Sequence, residues 1–558
     1  MADMVTVVLK MTLGMFVKKA KSSLRDKLKD GGLNSQQLRS LIMSNLDDIK
    51  SKLVGLSRGN LLSSASLIQE GLRLLHELID RPNSPTSSVQ NKVRGSSSGT
   101  DLLLEVDPVI KLLETIHEIK TRSGDHFTSA MELLKSANTK ATEAFHNQAL
   151  SVEDRVLAAK LRVQSRLLLS LENPSLASQP CRFYLEELHG VPTVAEVFRN
   201  DVEGGKLSFL KRDKRHELVL SVSAMNFTVL NFLKNFAKIA VNLCDWPTLR
   251  SSDWTYNPLI PNKTICMELQ SIGIECPNLA VFKAFGRCPN WRDVAVKSNR
   301  DLIGGCPEVD SKVVVFNEFT TGGIKRSALS RHGVTSVHLL FVAVDIDDNI
   351  YVLSDQNCTG LGSISLVPEG GLLSVFDSKG DLAEQIKIGY CWWNNIVAPS
   401  PDGFALMTYN AHLCINAEVT FYKRIEGKIQ RTFSFEIKLS EYSLVAVTNK
   451  YQVVAVKQSG YRVRIFGEKN GMLIREFELY GRERESCVSI TFNFLTEELV
   501  FVSTVGSCYF LSTYELETGK RRHNVRIPLF NNEKGVHLTT HCSGPMALVS
   551  PNYVLYLQ

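Results

Sequence analysis

Asp345, Asp347, Asp348 and Asn349 crowd one short stretch, and clustered oxygen donors of this kind are what calcium takes as ligands. The same residues also stop strands and bond to their own backbone at turns. Because they fall between two apolar runs, with no matching carboxylates at equivalent places elsewhere, the turn role is the one expected. A second group is basic: Arg462, Arg464, Arg482, Arg484, Lys520, Arg521 and Arg522, with Tyr461 and Tyr480 nearby. Guanidinium groups beside aromatic rings suit phosphates and stacked bases, so these are the candidate RNA contacts. Glu483 and Glu485 interrupt them, and residues 251–558 carry 30 Lys+Arg against 31 Asp+Glu, so no basic surplus supports the idea. A third group is aromatic. Tyr390, Trp392 and Trp393 precede an apolar run, where an exposed pair of indoles would make a protein-binding hot spot and a buried pair would pack between sheets.

Catalytic patterns are missing. No Ser-His-Asp order, P-loop or G-x-G-x-x-G placed between strand and helix occurs, and His189, ahead of Gly190, reads as a helix-end residue. Twelve cysteines include no C-x-x-C pair and no Cys/His spacing that fits zinc. Eleven of them lie between Cys244 and Cys542, several inside apolar runs such as those of Cys414, Cys487 and Cys508, where a thiol acts as a small hydrophobe. The expectation is therefore no enzyme, no metal and no cofactor, in a reduced, cytoplasmic setting. Sequons at Asn226, Asn262 and Asn357 are compatible with secretion but common by chance. The stretch Val5 to Val17 does not read as a signal peptide, since Lys10 interrupts it and its lysines follow it. No run is long enough to span a bilayer.

These candidates need elements to hold them. With 558 residues, 44% apolar and 22% charged, the chain is an ordinary globular one that exceeds a single core. Its second half repeats. Apolar inner strands begin near Asp293, Phe341, Asn395, Leu444, Val488 and Gly535, spaced as four-stranded propeller blades are. A second strand follows each, as in Tyr451-Gln-Val-Val-Ala-Val456, and an outer pair is joined by glycine turns at Gly380, Gly427, Gly471 and Gly519. The last copy runs out at Tyr553-Val-Leu-Tyr-Leu-Gln558. Its missing strands are expected upstream, from Ile265-Cys-Met-Glu-Leu269, from Leu279 to Phe285, or from both, because an open ring would leave a bare sheet edge.

The first half reads as helices. Ala65, Ile68, Leu72, Leu75 and Ile79 make one stripe, and Asp107-Pro108 opens another helix. Ser151-Val-Glu-Asp154 resembles a capping box, Thr193 is a further start, and a long helix is expected from Lys214 to about Leu243. Residues 82–100, rich in Ser and Pro, read as a flexible linker and a potential phosphorylation cluster. Residues 4–29 are apolar first and basic later. That pattern fits a helix packed on its neighbours, or a membrane-surface helix. Subtracting the second half leaves 34 Lys+Arg and 27 Asp+Glu for residues 1–250, a mild surplus that solvated helix faces account for.

The run Val342-Ala-Val-Asp-Ile-Asp-Asp-Asn-Ile-Tyr-Val352, with Ser374-Val-Phe-Asp-Ser-Lys-Gly380, resembles the NHL repeat. That resemblance implies a six-bladed propeller like those of TRIM–NHL proteins over residues 262–558, some of which bind RNA. The RING and B-box cysteine and histidine patterns of those proteins are absent here, so ubiquitin-ligase activity is not implied.

The expected architecture is multidomain, α + all-β. Helices at 1–81, the linker at 82–100 and a helical bundle at 101–250 precede a six-bladed β-propeller at 262–558. The expected function is a non-enzymatic scaffold or adaptor binding a protein partner through the propeller. RNA binding is the alternative, a membrane partner is not expected, and the helical region is the place for homo-oligomerisation.

Overall fold

The computed structural model describes residues 11–12, 15–16, 35–53, 55, 58–80, 108–203, 212–239, 241–250, 255–276, 279–281, 294–307, 314–320, 323–328, 338–355, 371–378, 381–388, 396–400, 402–409, 416–426, 428–438, 443–457, 462–467, 470–479, 486–531, 536–550 and 553–557. It divides into two compact units. One holds residues 1–241 and 245–277; the other holds 242–244 and 278–558. The linker expected at 82–100 lies outside the described residues.

The first unit contains α1 (Ser35–Lys52), α2 (Gly59–Asp80), α3 (Pro108–His146), α4 (Val152–Leu169), α5 (Ser178–His189), α6 (Pro192–Glu203), α7 (Arg212–Asn235) and α8 (Lys263–Ser271). The stripe on α2 is buried as its spacing requires, with Ala65 and Ile68 fully covered. Gly71 lets this helix approach α3 closely: a methyl group there would lie 3.2 Å from Leu134 Cγ. Facing it, Ala130, Leu134, Ala137 and Ala141 line α3, and Ser64 Oγ donates to the Ala137 carbonyl at 2.9 Å. The cap of α4 is real: the Asp154 N–H donates to Ser151 Oγ at 3.1 Å. The Asp154 carboxylate does not turn back on the cap but takes Arg58 at 2.9 Å.

Helices of 39 residues (α3) and 12 residues (α5 and α6) cannot run side by side along their full lengths. The helical bundle expected at 101–250 is accordingly not a clear one. On α7, Val219, Val222, Met225, Val229 and Phe232 are all buried, so the helix is covered on several sides, as a central helix is. It ends at Asn235, short of the expected Leu243. Met15 and Phe16 are buried in this unit, and the Met11 carbonyl accepts from Thr228 Oγ1 at 3.3 Å. At those positions the apolar part of residues 4–29 is packing surface, as the first of its two readings expects. Among the described residues, no helix is long and apolar enough to cross a membrane.

The second unit is a β-propeller built of antiparallel sheets. Sheet 1 runs Val294–Val296, Leu302–Pro307, Val314–Thr320 and Gly323–Ala328 from first to fourth strand. Sheet 2 is His338–Val344, Ile350–Asp355, Gly371–Phe376 and Leu382–Ile388. Sheet 3 is Ile396–Ser400, Gly403–Tyr409, Asn416–Ile425 and Lys428–Lys438, and sheet 4 is Ser443–Val447, Val453–Lys457, Arg462–Phe466 and Leu473–Glu478. Sheet 5 is Ser486–Asn493, Glu498–Val505, Cys508–Glu515 and Arg521–Arg526. Sheet 6 takes three strands from the chain end, His537–Thr540, Met546–Val549 and Tyr553–Tyr556, and its fourth from upstream, Leu279–Val281. The first strands pack one beside the next, and that of sheet 6 returns to that of sheet 1.

Sheet 6 is the closing device. Tyr553 pairs with Val281, Val554 with Ala280 and Leu555 with Leu279. Of the two upstream segments expected here, only Leu279 onward supplies the strand. Ile265–Leu269 belongs to α8 instead, where the Asn262 side chain accepts the Ile265 N–H at 3.0 Å and caps the helix. Ile265, Cys266 and Leu269 fall on one buried face at helical spacing, a period the strand reading overlooked.

The apolar runs are continuous because each sheet is covered on both faces. In sheet 4, Val453 and Ala455 pack toward sheet 3, while Val454 and Val456 pack toward sheet 5. In sheet 2, Ile350 and Val352 face sheet 1, and Tyr351 and Leu353 face sheet 3. Alternation along a strand therefore serves two neighbours at once. The outer turns use glycine as anticipated at Gly471 (φ 62°) and Gly519 (φ 67°), where a side chain is disfavoured by the backbone. At Gly519 a methyl group would also lie 2.6 Å from the Phe477 ring. Gly380 and Gly427 lie outside the described residues.

Candidate functional site: the turn-bearing end of the ring

Strands alternate in direction, so the turns between first and second strands and those between third and fourth strands share one end of the ring. The Asp345 cluster is one of these turns. Asp345 is buried, and its Oδ1 accepts the backbone N–H groups of Asp347 at 3.0 Å and Asn349 at 2.9 Å. Its Oδ2 accepts from Asn349 Nδ2 at 2.9 Å and from the Tyr351 hydroxyl at 2.5 Å. The carboxylate is thus spent on its own turn, as the sequence reading expects. Burial, followed by the nearby Asp345 charge, pushes the Tyr351 phenol far above its ordinary pKa, so it stays a donor. Among the described residues, no group of three His, Cys, Asp or Glu side chains is set to hold a metal ion.

Replacing Asp345 with alanine would strand two N–H groups, an amide and a phenol, and should cost about 3 kcal/mol. Urea unfolding of the propeller would show this as a lower midpoint, with Tyr351→Phe losing roughly half as much. An Asp345→Ala midpoint equal to wild type would mean that the network is ornamental.

Neighbouring turns tie into this one. Asp348 accepts from Ser298 N at 2.8 Å and from Ser298 Oγ at 2.5 Å, joining sheet 1 to sheet 2, and Arg424 of sheet 3 donates to Asn349 Oδ1 at 2.5 Å. The turn of sheet 6, residues 541–545, reaches furthest. His541 is fully buried, and its Nε2 donates to the Asp345 carbonyl at 2.6 Å and lies 3.3 Å from Asp348 Oδ1. Its Nδ1 accepts from the Ser543 N–H at 3.1 Å, which fixes the tautomer. Cys542 Sγ donates to the Ser400 carbonyl of sheet 3 at 2.9 Å, and Gly544 (φ 121°) abuts Leu495 of sheet 5. Sheet 6 stands between sheets 5 and 1, so a turn that also touches sheets 2 and 3 crosses the middle of the ring at this end. Nothing in the sequence flagged His541; only the ring brings it to residue 345.

The rim at this end carries exposed apolar residues, and its turns are rich in carboxylates. In the propeller unit, every exposed large hydrophobic among the described residues lies at this end: Ile346, Ile425, Met472, Leu473, Ile474 and Leu495. Met472 and Leu495 are more than 60% exposed, at 65% and 61%. The described residues of these turns include ten carboxylates, Asp301, Asp345, Asp347, Asp348, Asp377, Asp381, Asp402, Glu426, Glu497 and Glu517. Against them stand four cations, Lys297, Arg300, Lys450 and Lys520. The sequence signal for this rim was an apolar residue with a carboxylate just beyond it in a short turn, as in Ile346-Asp347, Ile425-Glu426 and Leu516-Glu517.

The other candidate residues scatter. Tyr390, Trp392, Trp393, Arg482 and Arg484 lie outside the described residues, as do Tyr461 and Tyr480. Arg462 and Arg464 sit on the third strand of sheet 4, opposite Glu478 and Glu476 in register. Arg464 Nε meets Glu476 at 2.9 Å, and Arg462 reaches both glutamates at 3.5 Å. Arg522, on sheet 5, pairs with Glu515 at 2.8 Å and Glu498 at 3.2 Å, and Arg521 stands beside it on the same strand. The basic candidates that the structure describes therefore occupy two sheets, Lys520 in the turn just before Arg521, and glutamates stand against Arg462, Arg464 and Arg522.

In the helical unit His189 is a helix-end residue, as expected, but a buried one. Asn226 Nδ2 meets its Nε2 at 3.1 Å, and Trp246 Nε1 donates to Asn226 Oδ1 at 2.7 Å. Burial pushes its pKa down to about 3. Burial likewise raises the thiols of Cys181, Cys487 and Cys542 to about 12, which removes them as nucleophiles at neutral pH.

A ring of radially packed antiparallel sheets, preceded by helices, makes this a helical and β-propeller protein. No family model and no curated protein matches the chain. Among solved structures it is similar to Kluyveromyces lactis Hsv2, at 15% identity over 47% of this chain and 90% of that chain, with a TM-score of 0.29. It is also similar to the Dos1 propeller, at 12% identity over 47% and 67% of the two chains, with a TM-score of 0.31. A gluconolactonase from Xanthomonas campestris matches at 13% identity over 39% and 70%, with a TM-score of 0.27. Likeness at this level bears on neither ligand nor activity.

Proposed function

We propose that the protein is a non-enzymatic, cytoplasmic interaction scaffold whose propeller, six-bladed when each sheet is counted as a blade and NHL-like in its second blade, provides the binding face. The helical unit would serve assembly. One observation carries this reading: exposed apolar side chains from sheets 2, 3, 4 and 5 gather at a single end of the ring. Exposed apolar groups gathered on one side of a domain are characteristic of partner sites. Residues 541–545 cross the same end and tie sheet 6 to sheets 2 and 3, which supports a rigid surface role there.

RNA binding through the propeller has less behind it, because Glu476, Glu478, Glu498 and Glu515 stand against Arg462, Arg464 and Arg522. The two readings separate in one experiment. A photo-crosslinking amino acid placed at 474 or 495 in the full chain, and separately at 462 or 522, is irradiated in cells. Discrete protein adducts from 474 and 495 are expected. Recovery of RNA from 462 and 522, with no protein adduct from the apolar end, would reverse the order of the two readings.

A further inference from the structure

We infer that the turn-bearing end of the ring receives a basic, amphipathic segment of another protein. The inference rests on the interaction-scaffold reading and adds the partner's chemistry. Its first support is placement. The exposed Ile346, Ile425, Met472, Ile474 and Leu495 fall on four consecutive sheets, so the apolar tips form an arc and not a single spot. Ile474 is the second residue of the outermost strand of sheet 4 and lies beside the turn, within 3.3 Å of where a methyl on Gly467 would be.

The second support is charge. Asp347 follows Ile346, Glu426 follows Ile425, Glu497 is two residues beyond Leu495, and Glu517 follows Leu516; all four carboxylate residues are exposed. Cations within the same turns are fewer, with Lys450 and Lys520 the exposed ones among the described residues, while Lys428 and Arg475 stand beside Ile425 and Ile474 on the adjoining strands. An apolar arc edged with carboxylates complements a segment whose apolar side chains lie on one face and whose lysines or arginines flank them. A polyanion meets repulsion on the same surface. An acidic peptide fares no better.

The test uses the full chain and two fluorescent probes of identical spacing, an amphipathic leucine–lysine peptide and its leucine–glutamate counterpart, titrated by anisotropy. The leucine–lysine probe is expected to bind the more tightly and to weaken as salt rises. Met472→Asp with Ile474→Asp should weaken it about tenfold. Glu426→Lys with Glu517→Lys should weaken it several-fold and flatten its salt dependence. Thermal melts monitor folding, and a photo-crosslinker at Ile474 reports directly whether the probe sits on the arc if a variant proves unstable. Equal binding of the two probes, or binding untouched by both sets of substitutions in folded protein, overturns the inference. Protein adducts from 474 and 495 in cells alongside a preference for the leucine–glutamate probe would leave the scaffold reading standing and remove only the basic partner. Absence of any protein adduct from this end would remove both.

Discussion

Leu555→Pro is expected to lower the melting temperature of the propeller by about 10 °C, the largest effect of any single substitution considered. Leu555 is fully buried and pairs with Leu548 on one side and Leu279 on the other. Proline removes a ladder donor and a packed side chain from the strand that joins the two ends of the unit. The loss is about 5 kcal/mol, the sum of a proline in a sheet interior and a partly vacated core site. For a unit of this size each kcal/mol moves the midpoint by roughly 2 °C. Differential scanning fluorimetry checks this, with helical circular dichroism at 222 nm as the sign that the first unit persists. Leu555→Ile, which conserves volume, should cost less than about 1.5 kcal/mol. A proline variant that melts with wild type would show that pairing with residues 279–281 does not hold the ring shut.

Acidification is expected to destabilise the helical unit through His189 by about 3 kcal/mol between pH 7 and pH 4. Burial depresses the pKa of this imidazole to about 3, below the usual 6.5. The folded unit therefore holds the ring neutral, while the unfolded chain takes up a proton as pH falls through 6.5. Stability from this group is complete above pH 6.5 and declines steadily toward pH 3. The geometry supplies the cause: His189 is covered, and its Nε2 is engaged by Asn226, itself held by Trp246. Urea unfolding followed at 222 nm at several pH values would show the slope. His189→Gln keeps a polar partner for Asn226 and removes the titration, so its stability should change less over the same range. Equal slopes for the two proteins would assign the acid sensitivity to carboxylates instead.

Local patterns were legible where local physics suffices. The α2 stripe, the Ser151 cap and the first strands of the sheets follow from spacing and turn chemistry, and each lies where its residues place it. The role of Asp345 was also readable, since an aspartate that begins a tight turn bonds the next N–H groups whatever the fold. Ile265–Leu269 is too short for its pattern to separate strand from helix, and the Asn262 cap decides for the helix. The site was less accessible. His541 lies 196 residues from Asp345, and no pattern in either stretch announces the other. The apolar rim was present in the turns as Ile346, Ile425 and Leu495, but a lone exposed hydrophobic is unremarkable until the ring shows that all of them share one end.

The amino-acid sequence alone determined that the chain has a helical part and a part made of repeated antiparallel sheets, because periodicity and turn residues act over a few positions. Tertiary structure decided the rest: which upstream strand completes sheet 6, which turn crosses the middle of the ring, and which side chains meet there. Those outcomes depend on closing the ring, a long-range event in which burial of both faces of every sheet selects partners that are distant along the chain.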